Sequence, residues 1–242
     1  MESGTAEIDK RLQTDRAIAA LLISLVLSLL YMFFRNWLSD GWVRIDPGWI
    51  SIGRAWILHL GAFLILGVVP FLLQKTGYLP SRLKAPGQTD DTIGKRIRAV
   101  WDAYPIWLKV TALLVAVAIG ISSYTDPCLS RAYPIPDGAP WNVIRYLAFV
   151  PSYLIYYLAF EFHYRGFLLP ALGDRFGSKS ALLLHAITPT ILHVGLCPTE
   201  LIGCFPGQIA LGWIALRGGS IWPVLILHVI VGLTLDISIL LA

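Results

Sequence analysis

Glu161 and Arg165 stand four residues apart inside a long apolar run that begins near Trp141. On a helix, that spacing places a carboxylate and a guanidinium on one face. Ionised groups at membrane depth are costly, so they are usually paired and tied to function. Three histidines follow on later apolar runs. His185 and His193 are eight apart, broadly on one side, with Pro189 between them inviting a kink because it withholds a hydrogen from the His185 carbonyl. His228 is followed at four and eight residues by Gly232 and Asp236, and Gly232 leaves room for a close approach.

A carboxylate can take a proton from water, while histidines can orient that water, donate to a developing oxyanion or protonate a leaving amine. Glu161, His193 and His228 on three helices therefore suit hydrolysis of an amide within or beside a bilayer. Arg165, Tyr164, Asp236 and His185 are expected to support them. The same three side chains also make a His₂Glu zinc set with water as fourth ligand. Residue types alone leave both versions open. A structural ion pair that locks a bundle is the plainer reading of Glu161 and Arg165.

The elements that must position these groups are read from composition first. Of 242 residues, 56% are hydrophobic and only 14% charged, with mean hydropathy +0.67. A soluble domain carries about a quarter charged residues, and a spanning helix needs about 20 apolar residues. The expectation is an all-α polytopic transmembrane bundle of about seven spans plus a short interfacial amphipathic helix. The first apolar run lacks a small-residue cleavage pattern, so a retained helix is expected.

The spans are expected at Ala17–Phe34, Ile52–Leu73, Pro105–Ser123, Trp141–Leu172, Ser178–Val194, Glu200–Leu216 and Ile221–Ala242, with a break at Gly173–Asp174. Two regions result, 1–104 (two spans and a basic loop) and 105–242 (the core), within one membrane domain. In the Gln74–Tyr104 segment, Ile93, Ile97, Val100, Trp101 and Tyr104 recur at helical spacing among basic residues. That pattern suits a helix lying on anionic headgroups, and with spans on both sides it argues against nucleic-acid binding. Trp37, Trp42 and Trp49 read as interfacial anchors. The Lys/Arg bias places the amino terminus in the cytoplasm and the carboxyl terminus outside.

These residues resemble a family. Glu161-x-x-x-Arg165-Gly166, then His193 and His228, together with Leu216-Arg217-Gly218-Gly219-Ser220-Ile221-Trp222-Pro223, is similar to the CPBP intramembrane proteases. That family includes CAAX prenyl endopeptidases and bacteriocin-processing or self-immunity proteins. The resemblance runs from about Trp141 to the carboxyl end. It implies a membrane endopeptidase of glutamate type, often described as a metalloprotease. Catalytic residues are expected to be Glu161, His193 and His228, with no cofactor or, alternatively, Zn2+. The expected partners are a bilayer, with a bacterial inner (plasma) membrane as the expected location, and a membrane-associated protein or peptide substrate.

Three positions depart from the family pattern. Phe160 stands where a first glutamate is usual, Pro189 where a Phe precedes the histidine, and Gly232 where a small polar residue follows His228. Asp236, one turn further along, is the candidate to replace that polar group. An inactive scaffold acting as a membrane immunity or chaperone-like binding protein is the alternative function. A transporter would carry similar groups in broken helices, but the two halves show no repeat. Glu200 is read as a helix-start carboxylate, His59 as structural, His163 as a helix-surface residue, and Cys128, Cys197 and Cys204 as buried free thiols, a disulfide in an oxidising periplasm being the alternative.

Overall fold

The computed structural model describes residues 2–40, 49–76, 106, 110, 113, 117–118, 121–122, 125–132 and 142–241. They form α1 (Glu2–Asp40), α2 (Trp49–Ala62), a wide-turn π segment π1 (Phe63–Val68) and α3 (Val69–Lys75). The rest are α4 (Pro127–Ala132), α5 (Val143–Glu161), a second π segment π2 (Phe162–Leu168), α6 (Leu169–Ile191), α7 (Pro198–Gly218) and α8 (Trp222–Leu241). No strand occurs among the described residues, in line with the all-α expectation.

Among the described residues, five helical stretches are long and apolar enough to cross a membrane: Arg11–Leu38, Ile52–Lys75, Val143–Ile191, Pro198–Gly218 and Trp222–Leu241. The expected count of about seven is therefore not established. The 49-residue stretch Val143–Ile191 accounts for part of the difference. It was expected as two spans parted at Gly173–Asp174, and the helical geometry breaks instead at Gly177 (φ 74°, ψ 164°), a conformation that suits glycine. Most of the expected third span, Pro105–Ser123, and most of the amphipathic segment Gln74–Tyr104 lie outside the described residues.

The two π segments explain how the chain around Glu161 is shaped. Each is followed closely by a proline, Pro70 after π1 and Pro170 after π2. A proline offers no amide hydrogen to the carbonyl four residues before it. For Pro170 that carbonyl belongs to Gly166, and Gln74 Nε2 donates to it at 3.2 Å. For Pro70 it belongs to Leu66. His163, within π2, is fully buried, not on a helix surface as expected. Wide turns of this kind recur at functional sites because they re-aim side chains within an otherwise regular helix.

Polar ties between helices fix the remaining geometry. Ser28 on α1 meets the Tyr164 hydroxyl at 2.8 Å, and His59 Nδ1 meets Ser152 Oγ at 2.8 Å. His59 is structural, as expected, but paired. Arg35 on α1 donates to the carbonyls of Leu192 (2.6 Å) and Val194 (3.4 Å), clamping the turn between α6 and α7.

The cysteine expectation is corrected. Cys128 on α4 is joined by a disulfide to Cys197, with Cα atoms 5.7 Å apart, and only Cys204 is free. The bond fastens α4 to the residue that caps the start of α7, and Thr199 also donates to Asp126. Sixty-nine residues separate the cysteines, too many for spacing alone to suggest the pair. On the chain-entropy account, closing a loop of that size stabilises by about 4 kcal/mol. Denatured, unreduced protein is expected to show one reactive thiol per chain in a colorimetric assay and three after reduction; three before reduction would contradict the disulfide.

Candidate active site

Glu161 ends α5 at the threshold of π2, and its side chain is fully buried. Its Oε1 accepts from Arg165 Nη1 at 3.1 Å and lies 2.5 Å from His228 Nδ1 on α8. Its Oε2 has no hydrogen-bond partner among the described residues. The carboxylate thus has one oxygen held by two cationic-capable groups and one oxygen unengaged. Arg165 is also fully buried, and its second terminal nitrogen, Nη2, donates to Gln208 Oε1 on α7. Removing one partner of such a buried pair costs about 3–5 kcal/mol, because it leaves an uncompensated charge.

His193 is placed differently from the expectation. It lies just past the end of α6, on the turn that Arg35 clamps, and not on the helix itself. Its Nδ1 is 2.9 Å from the Pro189 carbonyl and 3.1 Å from Cys204 Sγ, and its Nε2 is 3.5 Å from Glu200 Oε1. A carbonyl can only accept, so Nδ1 carries a proton. Burial works against the charged ring, yet the hydrogen bond and charge of Cys204, then the charge of Glu200, prevail, and its pKa is raised above the usual 6.5. The charged form of His193 is thus favoured relative to a free imidazole, with Nε2 facing the Glu200 carboxylate.

Among the described residues, no hydrogen bond joins His193 directly to Glu161 or His228. Glu161 and His228 touch, while His193 is reached from them through Arg165, Gln208 and Cys204, since Gln208 Nε2 donates to Cys204 Sγ at 3.5 Å. Among the described residues no three His, Cys, Asp or Glu side chains are grouped as a metal would require. Both His193 nitrogens are engaged elsewhere, so the Glu161–His193–His228 zinc set does not fit this arrangement.

Of the supporting residues, Arg165 holds Glu161 directly. Tyr164 points to Ser28, and His185 packs on Gly212, where a Cβ would come within 2.8 Å of its ring. Asp236 is buried, but no hydrogen bond joins it to His228. The space it was expected to serve is occupied from the other side. A Cβ at Gly232 would fall on the Tyr157 hydroxyl and 2.7 Å from that of Tyr153, and the Tyr157 ring lies 4.5 Å from the His228 ring. Two tyrosine hydroxyls, hydrogen-bonded to each other at 2.8 Å, stand where the family's small polar residue would project. Phe160 likewise has an occupation: it meets the His228 ring edge-on at 5.3 Å and lies 5.6 Å below the Arg165 guanidinium, a cation–π contact.

Glu200, Cys204 and Gln208 were missed as site residues. Glu200 does open α7, as expected, but it also pairs with His193. Their spacing of four and four puts the three on one helical face, and that polar stripe was the available signal.

Residues 140–234 carry a domain that matches the family model described as type II CAAX prenyl endopeptidase Rce1-like, consistent with the CPBP family. The matched stretch includes Glu161, His193, His228 and Gly232, and stops short of Asp236. This is a family of membrane proteases. No curated protein and no solved structure matches the chain.

Two outcomes are expected. Gly232→Ala should lower the thermal midpoint in detergent, by overpacking worth about 1–3 kcal/mol, and Tyr157→Phe should recover part of that loss; an unshifted midpoint in Gly232→Ala would contradict the packing. The raised pKa of His193 means its stabilisation is present in full below pH 6.5 and is lost as pH rises through the raised value. The stability gap between wild type and His193→Gln should therefore be widest in acid and narrow with rising pH. A gap that widens toward alkaline pH would reverse the assignment.

Proposed function

We propose that this protein is an intramembrane endopeptidase in which Glu161 acts as the general base. The observation that carries the reading is the division of labour between the two carboxylate oxygens. Oε1 is fixed by Arg165 and His228, which hold the group in one orientation, while Oε2 is unengaged and can take a proton from water. The hydroxide so formed attacks the scissile carbonyl, and His193, when protonated, is a suitable donor to the oxyanion or the leaving amine. The side chains of His228, at 17% exposed, and of His193 and Glu200, at 18% and 17%, are partly accessible, whereas that of Glu161 is fully buried.

Substrate is a membrane-associated protein or peptide. The matched family's description names prenylated CAAX tails, and that class is the first to test. The amino terminus is assigned to the cytoplasm. The Cys128–Cys197 disulfide supports this, since disulfides persist in oxidising compartments and this one lies at the α4 and α6–α7 end assigned to the outside.

Phe160 makes this a one-carboxylate site. With an aromatic ring under Arg165 and against His228, a second ionised group is not needed to keep either in place. The test is cleavage of membrane-anchored substrates by purified protein in vesicles. Glu161→Gln and His228→Ala should each lower kcat by about 100-fold or more, the scale of a lost general base or a lost preorganised donor, and His193→Ala should act chiefly on kcat too. A chelator should leave the rate unchanged. Cleavage that survives all three substitutions would overturn the peptidase reading in favour of a binding scaffold, and chelator-sensitive cleavage would overturn the metal-free version.

A further inference from the structure

The two halves of the site are joined by a run of three side chains, Arg165, Gln208 and Cys204. Arg165 presents its two terminal nitrogens as a fork, Nη1 to Glu161 and Nη2 to Gln208. Arginine only donates, so the amide oxygen of Gln208 must face it, and the amide nitrogen is left to donate to Cys204 Sγ at 3.5 Å. Cys204 in turn meets His193 Nδ1 at 3.1 Å. Gln208 is buried, with 4% of its surface exposed, so both of its contacts are made away from bulk water.

We infer that Gln208 is a positioning residue for the hydrolysis, setting the register of the Glu161 carboxylate against the His193 imidazole through Arg165 on one side and Cys204 on the other. The inference rests on the peptidase reading above. Neither a guanidinium nor an amide passes protons readily, so the link works through orientation and charge, not as a proton wire. A base and an acid that flank one scissile bond must be held in fixed relation, and a misplacement of about 1 Å can cost about 100-fold in rate. Here the base sits on α5 and the acid on a turn beyond α6, and among the described residues a run of hydrogen bonds connects them through this face of α7. The turn's other holds, Arg35 on its carbonyls and Glu200 on Nε2, fix His193 to α1 and α7 but not to Glu161.

The variants separate the two contacts. Gln208→Leu keeps the bulk and removes both. Gln208→Glu still accepts from Arg165 but cannot donate to the sulfur, and Cys204→Ala removes the sulfur alone. Gln208→Leu should lower kcat by about 100-fold with KM unchanged, with Gln208→Glu and Cys204→Ala falling between it and wild type. A fall in KM affinity at constant kcat, or full kcat in Gln208→Leu, would overturn the inference.

A readout that needs no substrate keeps the link testable if cleavage is not found. Cys204 is the one free thiol, so its N-ethylmaleimide labelling rate in unreduced protein reports on this position. Glu161→Gln should change that rate by about threefold or more when Gln208 is present and leave it unchanged in a Gln208→Leu background, as expected of residues coupled in one network. Equal effects of Glu161→Gln in both backgrounds would show that Gln208 carries no coupling. Failure of the peptidase reading would appear instead as cleavage indifferent to Glu161, whatever the labelling shows.

Discussion

The structure depends on a buried guanidinium. Arg165 has no access to water, and a charge so placed is tolerable only when neighbouring groups replace its hydration shell. Glu161 supplies the counter-charge, Gln208 a neutral acceptor, and the Phe160 ring a quadrupole beneath. These three come from α5 and α7. Because each is needed to make the arginine bearable, the helices cannot slide or rotate past one another without exposing an unpaired charge to an apolar interior. The same requirement orients the carboxylate, so what stabilises the fold also prepares the site.

The departures from the family pattern become legible on this basis. Phe160 in place of a glutamate exchanges a second negative charge for an aromatic floor under Arg165. Gly232 in place of a polar residue makes room for Tyr157 and Tyr153, whose hydroxyls approach from α5. Pro189 lies four residues before His193, and its carbonyl accepts from that ring. Phe160 and Gly232 thus have neighbours that fill the space, while the bond to the Pro189 carbonyl is a backbone one that any residue at that position could accept.

Much of this could be read from the chain. The apolar runs, the Glu161–Arg165 spacing and the later histidines gave an all-helical membrane protein with its polar residues gathered in the second half. What escaped has physical reasons. The Cys128–Cys197 pairing joins distant segments, and sequence spacing carries no signal for it. Helical periodicity assumes 3.6 residues per turn, so it put His163 on a surface, whereas the π segment turned it inward. His193 was read on a helix because apolar residues continue to Val194, while the helix ends at Ile191 and the turn is held by Arg35, 157 residues away from Leu192. Glu200, Cys204 and Gln208 looked unremarkable one at a time; only their common face on α7 relates them.

The central claim is that a single carboxylate, Glu161, removes a proton from water and never bonds to substrate. Isotope tracing addresses it directly. In a single turnover run in ¹⁸O-water, the label should enter the new carboxyl terminus of the product, and the peptide containing Glu161, recovered from the protein, should remain unlabelled. Label in the Glu161 side chain would mean that the carboxylate attacks substrate as a nucleophile and is released by hydrolysis, and would contradict the account.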